Sequence, residues 1–517
     1  MNLYLSSKKP WKETIYDEFS VHFVGSCNKW SEIFSLLKVK DFNAVTDLLN
    51  QENGCYGFII QSEKFIFASV DHICSTPIYY SDDSISNCAY ELQKNANLSE
   101  VNRLAVKEFC MTGYCTGNQS LYEGLFMLQA GQSIFIAANS TRNIKDNPKI
   151  IQNYSYLPDI EKSHNIEHIK SKLPSVIDSI FKELVVQLDG RAVLLPLSGG
   201  LDSRLVLTKL LEHGHNNIIS FSYGSKGNGE AVIAKKIAEK LGVKWLDIPS
   251  KPPKALYESD IRKDFENFVD GLSIVPSYLD FEALYMLSQR DDIPKDGVII
   301  NGQTGDFIAG AHIPKALLNN NANIDDVIEE IAKIHYRQRL DIIVDKSVIR
   351  ASIENCNDYP PPALFEFWEW KERQAKAVMV GQRSYDFFGY DWLLPLWDKR
   401  LVDYFATVPY ELKAERKLMV EYLKDYDFKG VFTDDYPEIT PWPKGRSWIK
   451  FIARIFGVIA GAKAKESCYA RLYYFSNYHN QFALFGYKKY LSRYKKTQRF
   501  VGQAALQWLE ERGIEFP

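Results

Sequence analysis

The sequence predicts an α+β N-terminal domain rich in β-strands, followed by an α/β domain with a doubly wound parallel sheet and a helical C-terminal part. Short apolar runs between polar turns occupy the chain up to Ile136, and strands alternating with helical patterns follow from Ile166. The last third is helical in pattern and rich in aromatic residues. We therefore place one domain at residues 1–150 and a second at residues 160–517.

The bulk composition is that of a soluble globular protein. The chain has 517 residues, of which 46% are hydrophobic and 25% charged, and its formal net charge is −3. This charge gives no general attraction to nucleic acid or to an anionic membrane, so neither is expected as a partner. The first residues contain no apolar stretch long enough for a signal peptide, and the eight cysteines show no CxxC spacing. We expect a cytoplasmic protein with reduced thiols.

The N-terminal strands are predicted from apolar runs. Residues 56–60 and 64–68 flank a short polar turn, which is typical of a hairpin. Residues 71–80 lead into a further edge, and residues 131–136 form another apolar run. The mostly polar segment 139–155 contains Pro148 and is predicted to be a linker.

The second region shows the alternation expected of βαβ units. Long amphipathic patterns predict helices at residues 166–188 and 230–241. Apolar runs predict strands at residues 192–197, at 218–223, near Trp245 and at 298–300. Further on, the apolar segment from Phe451 to Ala462 carries Arg454 and is too short to span a bilayer, so we expect a buried helix.

The most informative segment joins the strand at 192–197 to the next helix. Ser198–Gly200 is a loop of small residues, and a helical pattern begins at Leu201. Free backbone N–H groups and the positive end of a helix favour phosphate at such a place, and glycine allows close approach. Asp202 would repel phosphate unless a hard cation such as Mg²⁺ lay between them, and Ser203 can add a hydroxyl donor. The alternative is a glycine-rich turn that binds nothing.

A second turn of similar kind follows the strand at 298–300. It runs from Asn301 to Asp306 and includes Gly302 and Gly305. Since carboxyl ends of parallel strands meet at one edge of a sheet, Asp202 and Asp306 could share one Mg²⁺ and hold pyrophosphate. The alternative is a solvated turn.

Together these segments resemble the asparagine synthetase superfamily of N-type ATP pyrophosphatases. The first loop matches the family's SGGxDS pyrophosphate loop, and the similarity spans most of the chain. The segment Leu195–Arg204 and the turn Thr304–Phe307 resemble those of asparagine synthetase-like proteins linked to bacterial surface polysaccharides, and this resemblance implies amidation of a uronic acid. The other similar segments are residues 221–223, the turn at 301–306, residues 388–398, which are similar to HGVEARVPFLD, and residues 442–444.

The resemblance implies ATP and Mg²⁺ as cofactors and assigns roles to individual residues. Asp202 and Asp306 would hold Mg²⁺ and pyrophosphate, and Lys444 would stabilise negative charge on the adenylate. The remaining phosphate ligands would be Ser198, Gly199, Gly200 and Ser203, and the adenosine would be framed by Leu195, Phe221, Ser222 and Gly302.

The general base is left open by the resemblance. Gln303 occupies the position of a family glutamate, and glutamine cannot take a proton at neutral pH. Asp391 is the candidate base that we assign instead, with a structural carboxylate as its alternative. If the incoming amine is already neutral, no strong base is required.

The N-terminal domain resembles the class II glutamine amidotransferase domain of this family, an Ntn-hydrolase-like fold. Residues 70–80 are similar to its RDxxGxxPLYY segment, and residues 113–136 to the stretch that closes it. Glutaminases of this class need a cysteine as the first residue. Position 2 is Asn2, Cys27 is the nearest cysteine, and the glutamine-binding NGEIYN segment is not recognisable. We therefore expect a degenerate domain that does not hydrolyse glutamine.

These features predict an AMP-forming, ATP-dependent ligase that joins a small-molecule carboxylate to ammonia or an amine. A uronic acid in surface polysaccharide synthesis is one candidate carboxylate, and the ammonia could come from an external source. Two alternatives stay open, namely a synthetase that closes a lactam or macrolactam within one molecule and a non-catalytic relative that binds nucleotide. The carboxylate, the amine source and a homodimeric state are not determined by the sequence.

Overall fold

The computed structural model describes residues 2–7, 10–25, 29–137, 148–158, 165–250, 254–269, 271–356, 358–438, 445–476 and 484–516. The N-terminal region is rich in strands. Its elements are β1 (Asn2–Tyr4), β2 (Lys12–Tyr16), β3 (Phe19–Gly25), α1 (Trp30–Lys38), α2 (Phe42–Gln51), β4 (Tyr56–Gln61), β5 (Phe65–Val70), β6 (Tyr79–Tyr80), β7 (Ser84–Ser86), α3 (Ala89–Asn95), α4 (Arg103–Thr112), β8 (Phe126–Met127), β9 (Gln132–Ala137) and β10 (Lys149–Gln152).

The next region alternates strands and helices. Its elements are α5 (Ile166–Leu188), β11 (Val193–Pro196), α6 (Leu201–Glu212), β12 (Ile218–Gly224), α7 (Gly229–Leu241), β13 (Lys244–Pro249), α8 (Lys254–Tyr257), α9 (Asp260–Val269), α10 (Phe281–Ser288), β14 (Val298–Ile300) and α11 (Gly305–Ile308).

The C-terminal part is almost wholly helical. Its elements are α12 (Ile324–His335), α13 (Lys346–Ile353), α14 (Pro361–Trp368), a π-helical segment (Glu369–Val378), α15 (Arg383–Phe387), β15 (Asp391–Leu393), α16 (Lys399–Ala406), α17 (Tyr410–Lys413), α18 (Lys417–Tyr426), α19 (Gly445–Ser476), α20 (Tyr487–Arg493) and α21 (Phe500–Glu511).

Two sheets build the N-terminal region. A six-stranded antiparallel sheet has the order β10-β9-β5-β4-β3-β2, and a smaller sheet has the order β1-β7-β6-β8. Alternate residues of β4 face opposite sides, so Phe58 and Ile60 pack with residues of α1 and α2 while Ile59 joins the main core. The predicted hairpin is confirmed as β4 and β5. The predicted linker is partly wrong, because β10 lies within residues 139–155 and extends the sheet.

The second region contains a five-stranded parallel sheet in the order β13-β12-β11-β14-β15. Both faces are covered: Val193 and Leu195 face a core that includes Leu205 of α6, while Leu194 packs with Leu284 of α10. This is the predicted doubly wound α/β arrangement. Strand order reverses at β11, which lies between β12 and β14, and ligands of such sheets bind at the carboxyl ends of strands at this point.

The apolar segment 451–462 is the clearest correction to the sequence-based expectations. It lies in α19, as a helix was predicted, but Phe451, Val458 and Ile459 are exposed rather than buried. Hydrophobicity alone could not separate a buried helix from an exposed apolar one. Among the described residues, no helix combines the length and apolarity needed to cross a bilayer.

Candidate functional site

The loop after β11 is closed by its own serines. The backbone N–H of Ser198 donates to the Ser203 hydroxyl over 3.2 Å, and the Gly200 N–H donates to the Ser198 hydroxyl over 3.1 Å. Gly200 caps α6 without a side-chain partner for the first helical N–H groups. These groups are left for an external acceptor, as a phosphate-binding helix start requires.

A buried arginine fixes this loop to the C-terminal part. The Arg204 guanidinium donates to the carbonyl of Gly199 over 3.0 Å, and to the carbonyls of Val431 and Tyr436 over 2.8 Å each. Its side chain is fully buried. The loop therefore has a fixed backbone, which a phosphate cradle needs. We did not assign a role to Arg204 from the sequence.

The turn after β14 approaches Asp202 so closely that only glycine fits. A Cβ at position 302 would lie 2.5 Å from the carbonyl carbon of Asp202, and one at position 305 would lie 2.8 Å from its Oδ1. Both Gly302 and Gly305 are therefore needed for this contact. The backbone N–H of Asp306 also donates to the Asp202 carboxylate. The structure thus brings together the two loops, as predicted from their positions at adjacent strand ends.

The two carboxylates interact strongly. Burial and the negative charge of Asp306 raise the pKa of Asp202 to about 7. Burial also acts to raise the pKa of Asp306, but the hydrogen bond and charge of His312 lower it more. Two carboxylates that repel each other form a set of oxygen donors with excess negative charge. Mg²⁺ is a hard cation that binds such a set. Asp202 and Asp306 therefore fit a divalent cation.

His312 holds Asp306 in place. Its Nε2 lies 3.2 Å from Asp306 Oδ2, and its Nδ1 lies 2.9 Å from Glu369 Oε1. Burial lowers the pKa of His312, but these two hydrogen bonds raise it more, to about 10. The buried Glu369 also pairs with His335 at 2.8 Å. Such outer partners orient a carboxylate ligand. The sequence showed no motif that would have identified His312 or Glu369.

Besides His312, the guanidinium of Arg416 faces the carboxylate pair. Arg416 interacts electrostatically with Asp202 and Asp306, and its guanidinium lies 2.6 Å from Glu438 Oε2. Arg416 is the N-cap residue directly before α18 and lies in the left-handed backbone region, with φ of 62°. A positioned guanidinium at this place can contact phosphate oxygens. The sequence did not indicate a role for this residue either, because no recognisable motif surrounds it.

Beside the carboxylate pair lies a chain of hydrogen bonds that ends at Asp280. Asp280 accepts from the hydroxyls of Tyr223, at the end of β12, and of Tyr385, the latter over 2.9 Å. Burial raises the pKa of Asp280, and the two tyrosine hydrogen bonds lower it only in part. The chain continues from Tyr385 through Asn301 and Gln382 to the side chain of Gln303. Gln303 is thus linked to a carboxylate that can accept a proton.

The predicted adenosine-framing residues lie on neighbouring strands. Leu195 of β11 pairs with Ser220 of β12, next to Phe221. The side chains of Leu195 and Phe221 are almost fully buried on opposite faces of the sheet. The Ser222 hydroxyl donates to the carbonyl of Leu197 over 2.7 Å. These side chains build the strand ends, so contacts to a ligand here would come from backbone atoms.

The structure does not bring Asp391 to the site. Asp391 begins β15 and pairs in register with Val298, the first residue of β14, at the end of the sheet opposite to the loops. Its carboxylate is exposed and lies 2.7 Å from the Arg191 guanidinium. The expectation that Asp391 lies beside the reacting groups is therefore wrong. Lys444 lies outside the described residues.

Another group of potential metal ligands lies away from these loops. Asp178, Glu212 and His213 present ligand atoms close together in the described part of the chain. However, the Lys209 ammonium lies 2.6 Å from Asp178 and 2.8 Å from Glu212. A cation is already supplied there by the protein, so this group is best explained as an ion-pair network.

The N-terminal region meets the candidate site through its turn after β5. His72 Nε2 lies 2.8 Å from the carbonyl oxygen of Trp397, whose indole N–H donates to Thr304 beside Gly305 over 3.1 Å. Among the described cysteines of this region, Cys74 and Cys115 are buried, and burial raises the pKa of each thiol. Cys27 lies outside the described residues.

The comparison with protein-family models identifies the segment that carries this geometry. Residues 187–425 match the family model of asparagine synthase. The match covers β11 to β15, both loops, Asp280, His312 and Arg416. No curated protein matches the chain.

Proposed function

We propose that this chain activates a carboxylate substrate as its acyl adenylate and transfers the acyl group to ammonia or an amine. Residues 187–425 match the family model of asparagine synthase, and this match supports an ATP-dependent amide-forming ligase. The observation that carries the proposal is the meeting of Asp202 and Asp306 at the point where strand order reverses. The loop at Ser198–Gly200 and the start of α6 lie at the same place.

In the proposed reaction, a carboxylate oxygen of the substrate attacks the α-phosphorus of ATP, and pyrophosphate leaves. Backbone N–H groups after Ser198 bind the leaving phosphates, with Ser203 as a further hydroxyl donor. Arg416 neutralises charge on the same oxygens. Mg²⁺ bound by Asp202 and Asp306 would supply charge neutralisation of pyrophosphate. Ammonia or an amine then attacks the acyl carbon, and AMP leaves.

The second step needs a group that removes a proton from the incoming amine if it arrives as ammonium. Asp280 takes this role in our proposal, in place of Asp391. It is a carboxylate with a raised pKa at the carboxyl end of the sheet, and Tyr223 and Tyr385 hold it in one orientation. The hydrogen-bond chain to Gln303 connects it with the turn that also positions Asp306.

We propose that the amine comes from outside the chain rather than from its own glutaminase. Supporting this, Cys74 and Cys115 are buried thiols with raised pKa values, unsuited to nucleophilic attack. The pure chain should therefore release no glutamate from glutamine, and glutamate release at the rate of amide formation would contradict this part.

The reaction is tested by measuring AMP formation with a panel of carboxylates. The pure protein is incubated with ATP, Mg²⁺ and ammonium, and each mixture contains a uronic acid, a β-amino acid or a peptide with a free carboxylate. Amide formation on a uronic acid, seen as mass loss of about one unit when hydroxyl is replaced by an amino group, supports the amidating ligase and its role in polysaccharide chemistry.

The other outcomes separate the alternatives. Loss of one water from a β-amino acid or a peptide, without incorporation of ammonium, would indicate a lactam- or macrolactam-forming synthetase. ATP binding without AMP from any carboxylate would contradict the ligase and favour a non-catalytic relative.

A further inference from the structure

The longest helical segment of the structure, α19, folds back on itself as a helical hairpin with an unusually apolar surface. α19 is interrupted at Gly461, which has φ of 83° and ψ of 178°. A Cβ at position 457 would lie 3.0 Å from the Cβ of Lys465, eight residues later, so the chain folds back at Gly461. In an uninterrupted helix these residues would be about 12 Å apart. The hairpin thus has two arms, residues 445–460 and residues 462–476.

The base of the hairpin is anchored in the protein. Ile449 and Ala453 of the first arm are buried. Ala470 and Tyr474 of the second arm pack in an aromatic cluster with Tyr490 of α20. The hairpin is therefore attached at its base, and the segment around Gly461 is its tip.

Towards the tip, the first arm exposes large apolar side chains. Val458 is 88% exposed, Ile459 78% and Phe451 63%. The exposed apolar residues at intervals of three and four, which place them on one helix face, are Trp448, Phe451, Ile455 and Ile459. Six large exposed apolar residues lie between Trp448 and Ile459, and no other stretch of twelve described residues has more than three. Such a patch marks an interaction site.

The same hairpin is strongly basic. Residues 448–476 contain five basic residues, of which Lys450, Arg454 and Lys463 are exposed beside the apolar face or at the tip, and one acidic residue, Glu466. The whole chain has a net charge of −3, so this segment differs from the rest in sign. An apolar face flanked by lysine and arginine is complementary to an anionic lipid surface, where apolar side chains enter the interface and cations meet the headgroups.

We propose that the α19 hairpin docks this protein on the surface of an anionic lipid bilayer. Trp448, Phe451, Val458 and Ile459 enter the interface, while Lys450, Arg454 and Lys463 contact lipid phosphates. The hairpin lies on the bilayer and does not cross it, since no described helix has the length and apolarity to span one. This proposal departs from the sequence-based expectation of no membrane partner, which rested on the net charge of the whole chain.

Flotation with lipid vesicles tests the proposal on the full-length protein. Vesicles of phosphatidylglycerol and phosphatidylcholine are compared with vesicles of phosphatidylcholine alone. We expect the protein to float with the anionic vesicles, to bind the neutral ones at least about tenfold more weakly, and to be released by high salt. Absence of flotation with anionic vesicles would overturn the proposal.

Two variants and a matched control assign the binding to the hairpin. The triple variant Phe451→Ser, Val458→Ser, Ile459→Ser should lose binding by at least about tenfold. The triple variant Lys450→Gln, Arg454→Gln, Lys463→Gln should lose the preference for anionic vesicles. The control Leu340→Ser, Ile343→Ser, Ile15→Ser changes residues that are 63%, 87% and 77% exposed, and should bind as the unchanged protein does.

Light scattering without lipid excludes the competing occupant, a second copy of the chain. The proposal expects the same mass for the unchanged protein and the apolar hairpin variant. A dimer that this variant converts to monomer, with no binding to anionic vesicles, would show that the apolar face is a protein interface and would overturn the proposal. Equal vesicle binding by the apolar variant and the unchanged protein would overturn it as well.

Discussion

Carboxylates follow buried strands in both regions of this protein, but their contacts differ between the two regions. Asp71 comes directly after β5 and is fully buried. It accepts hydrogen bonds from the backbone N–H groups of Tyr56, Ile73 and Ser75, over 2.7, 2.9 and 3.2 Å, and from the Ser75 hydroxyl. Both carboxylate oxygens of Asp71 are therefore used by its own turn and by the start of β4.

Asp202 and Asp306 lie in equivalent positions after β11 and β14, yet they face one another. Asp306 keeps 44% of its side chain exposed, and its charge helps to raise the pKa of Asp202. Two carboxylates that face each other cost a fold stability unless cations compensate them, and His312 and Arg416 are the cations that the protein places beside this pair. The hydrogen bonds of Asp71 thus stabilise the fold, whereas in the proposed reaction the Asp202–Asp306 pair serves a ligand.

The largest expected effect separates the pair from every structural carboxylate. Asp202→Asn should lower AMP formation by at least about 10³-fold, because a ligand of the leaving pyrophosphate is lost. The melting temperature should stay the same or rise, because the substitution removes a carboxylate that Asp306 repels and whose pKa is therefore raised. AMP formation and thermal unfolding are measured on the same preparation.

Asp292→Asn provides the control for that measurement. Asp292 is 48% exposed and pairs with Arg290 at 2.8 Å before β14, away from both loops. It should keep full activity. Near-normal turnover of Asp202→Asn with the true substrate would contradict the assignment of the pair.

A smaller effect is expected at Asp280, and it falls on one step only. Asp280→Asn should slow amide formation by about 10²-fold, because the group that accepts the proton is lost. The exchange of pyrophosphate into ATP should persist, because adenylation does not use Asp280. Asp280→Glu should restore part of the rate. Equal losses in both assays would show a structural role instead.

At Asp71 the expected effect is on stability rather than chemistry. Asp71→Ala leaves buried N–H groups without an acceptor, at about 1–3 kcal/mol each, so we expect the free energy of unfolding to fall by about 3–5 kcal/mol. Activity per folded molecule should change little. Denaturant unfolding is compared with that of Asp82→Ala, an exposed carboxylate of the same region. A stable but inactive Asp71→Ala would erase the distinction between the regions.

The smallest effect is expected at Asp391. Its ion pair with Arg191 is exposed at the far end of the sheet, and such pairs contribute about 0–1 kcal/mol. Asp391→Asn should therefore change neither the melting temperature nor the rate of amide formation measurably. A rate loss of tenfold or more would restore Asp391 as a candidate base.

Much of the fold could be predicted because local pattern and packing agree. The helix predicted at residues 166–188 is α5 with the same bounds, and the strands at residues 218–223 and 298–300 are β12 and β14. β15 was missed, since three residues joined to the sheet by β14 give no local signal. The exposed apolar face of α19 was not predicted, because the periodicity and hydrophobicity of a segment do not show whether other residues pack against the helix.

The residues of the candidate site could be predicted where they lie close together in the sequence. Ser198 and Gly302 lie on loops and Asp202 in the first turn of α6, and their spacing after strands is visible in the sequence. Their supporting residues are not visible in this way: Arg416 and Asp280 reach the site from segments far along the chain. Only the folded chain could show that a carboxylate other than Asp391 is linked to Gln303.

A crystal of the protein with a non-hydrolysable ATP analogue and Mn²⁺ as the probe ion tests the central claim most directly. We expect anomalous density from the ion between the carboxylates of Asp202 and Asp306, with the β- and γ-phosphates against Ser198–Ser203. Nucleotide bound elsewhere, or phosphates in the loop with both carboxylates turned away from any ion, would contradict it.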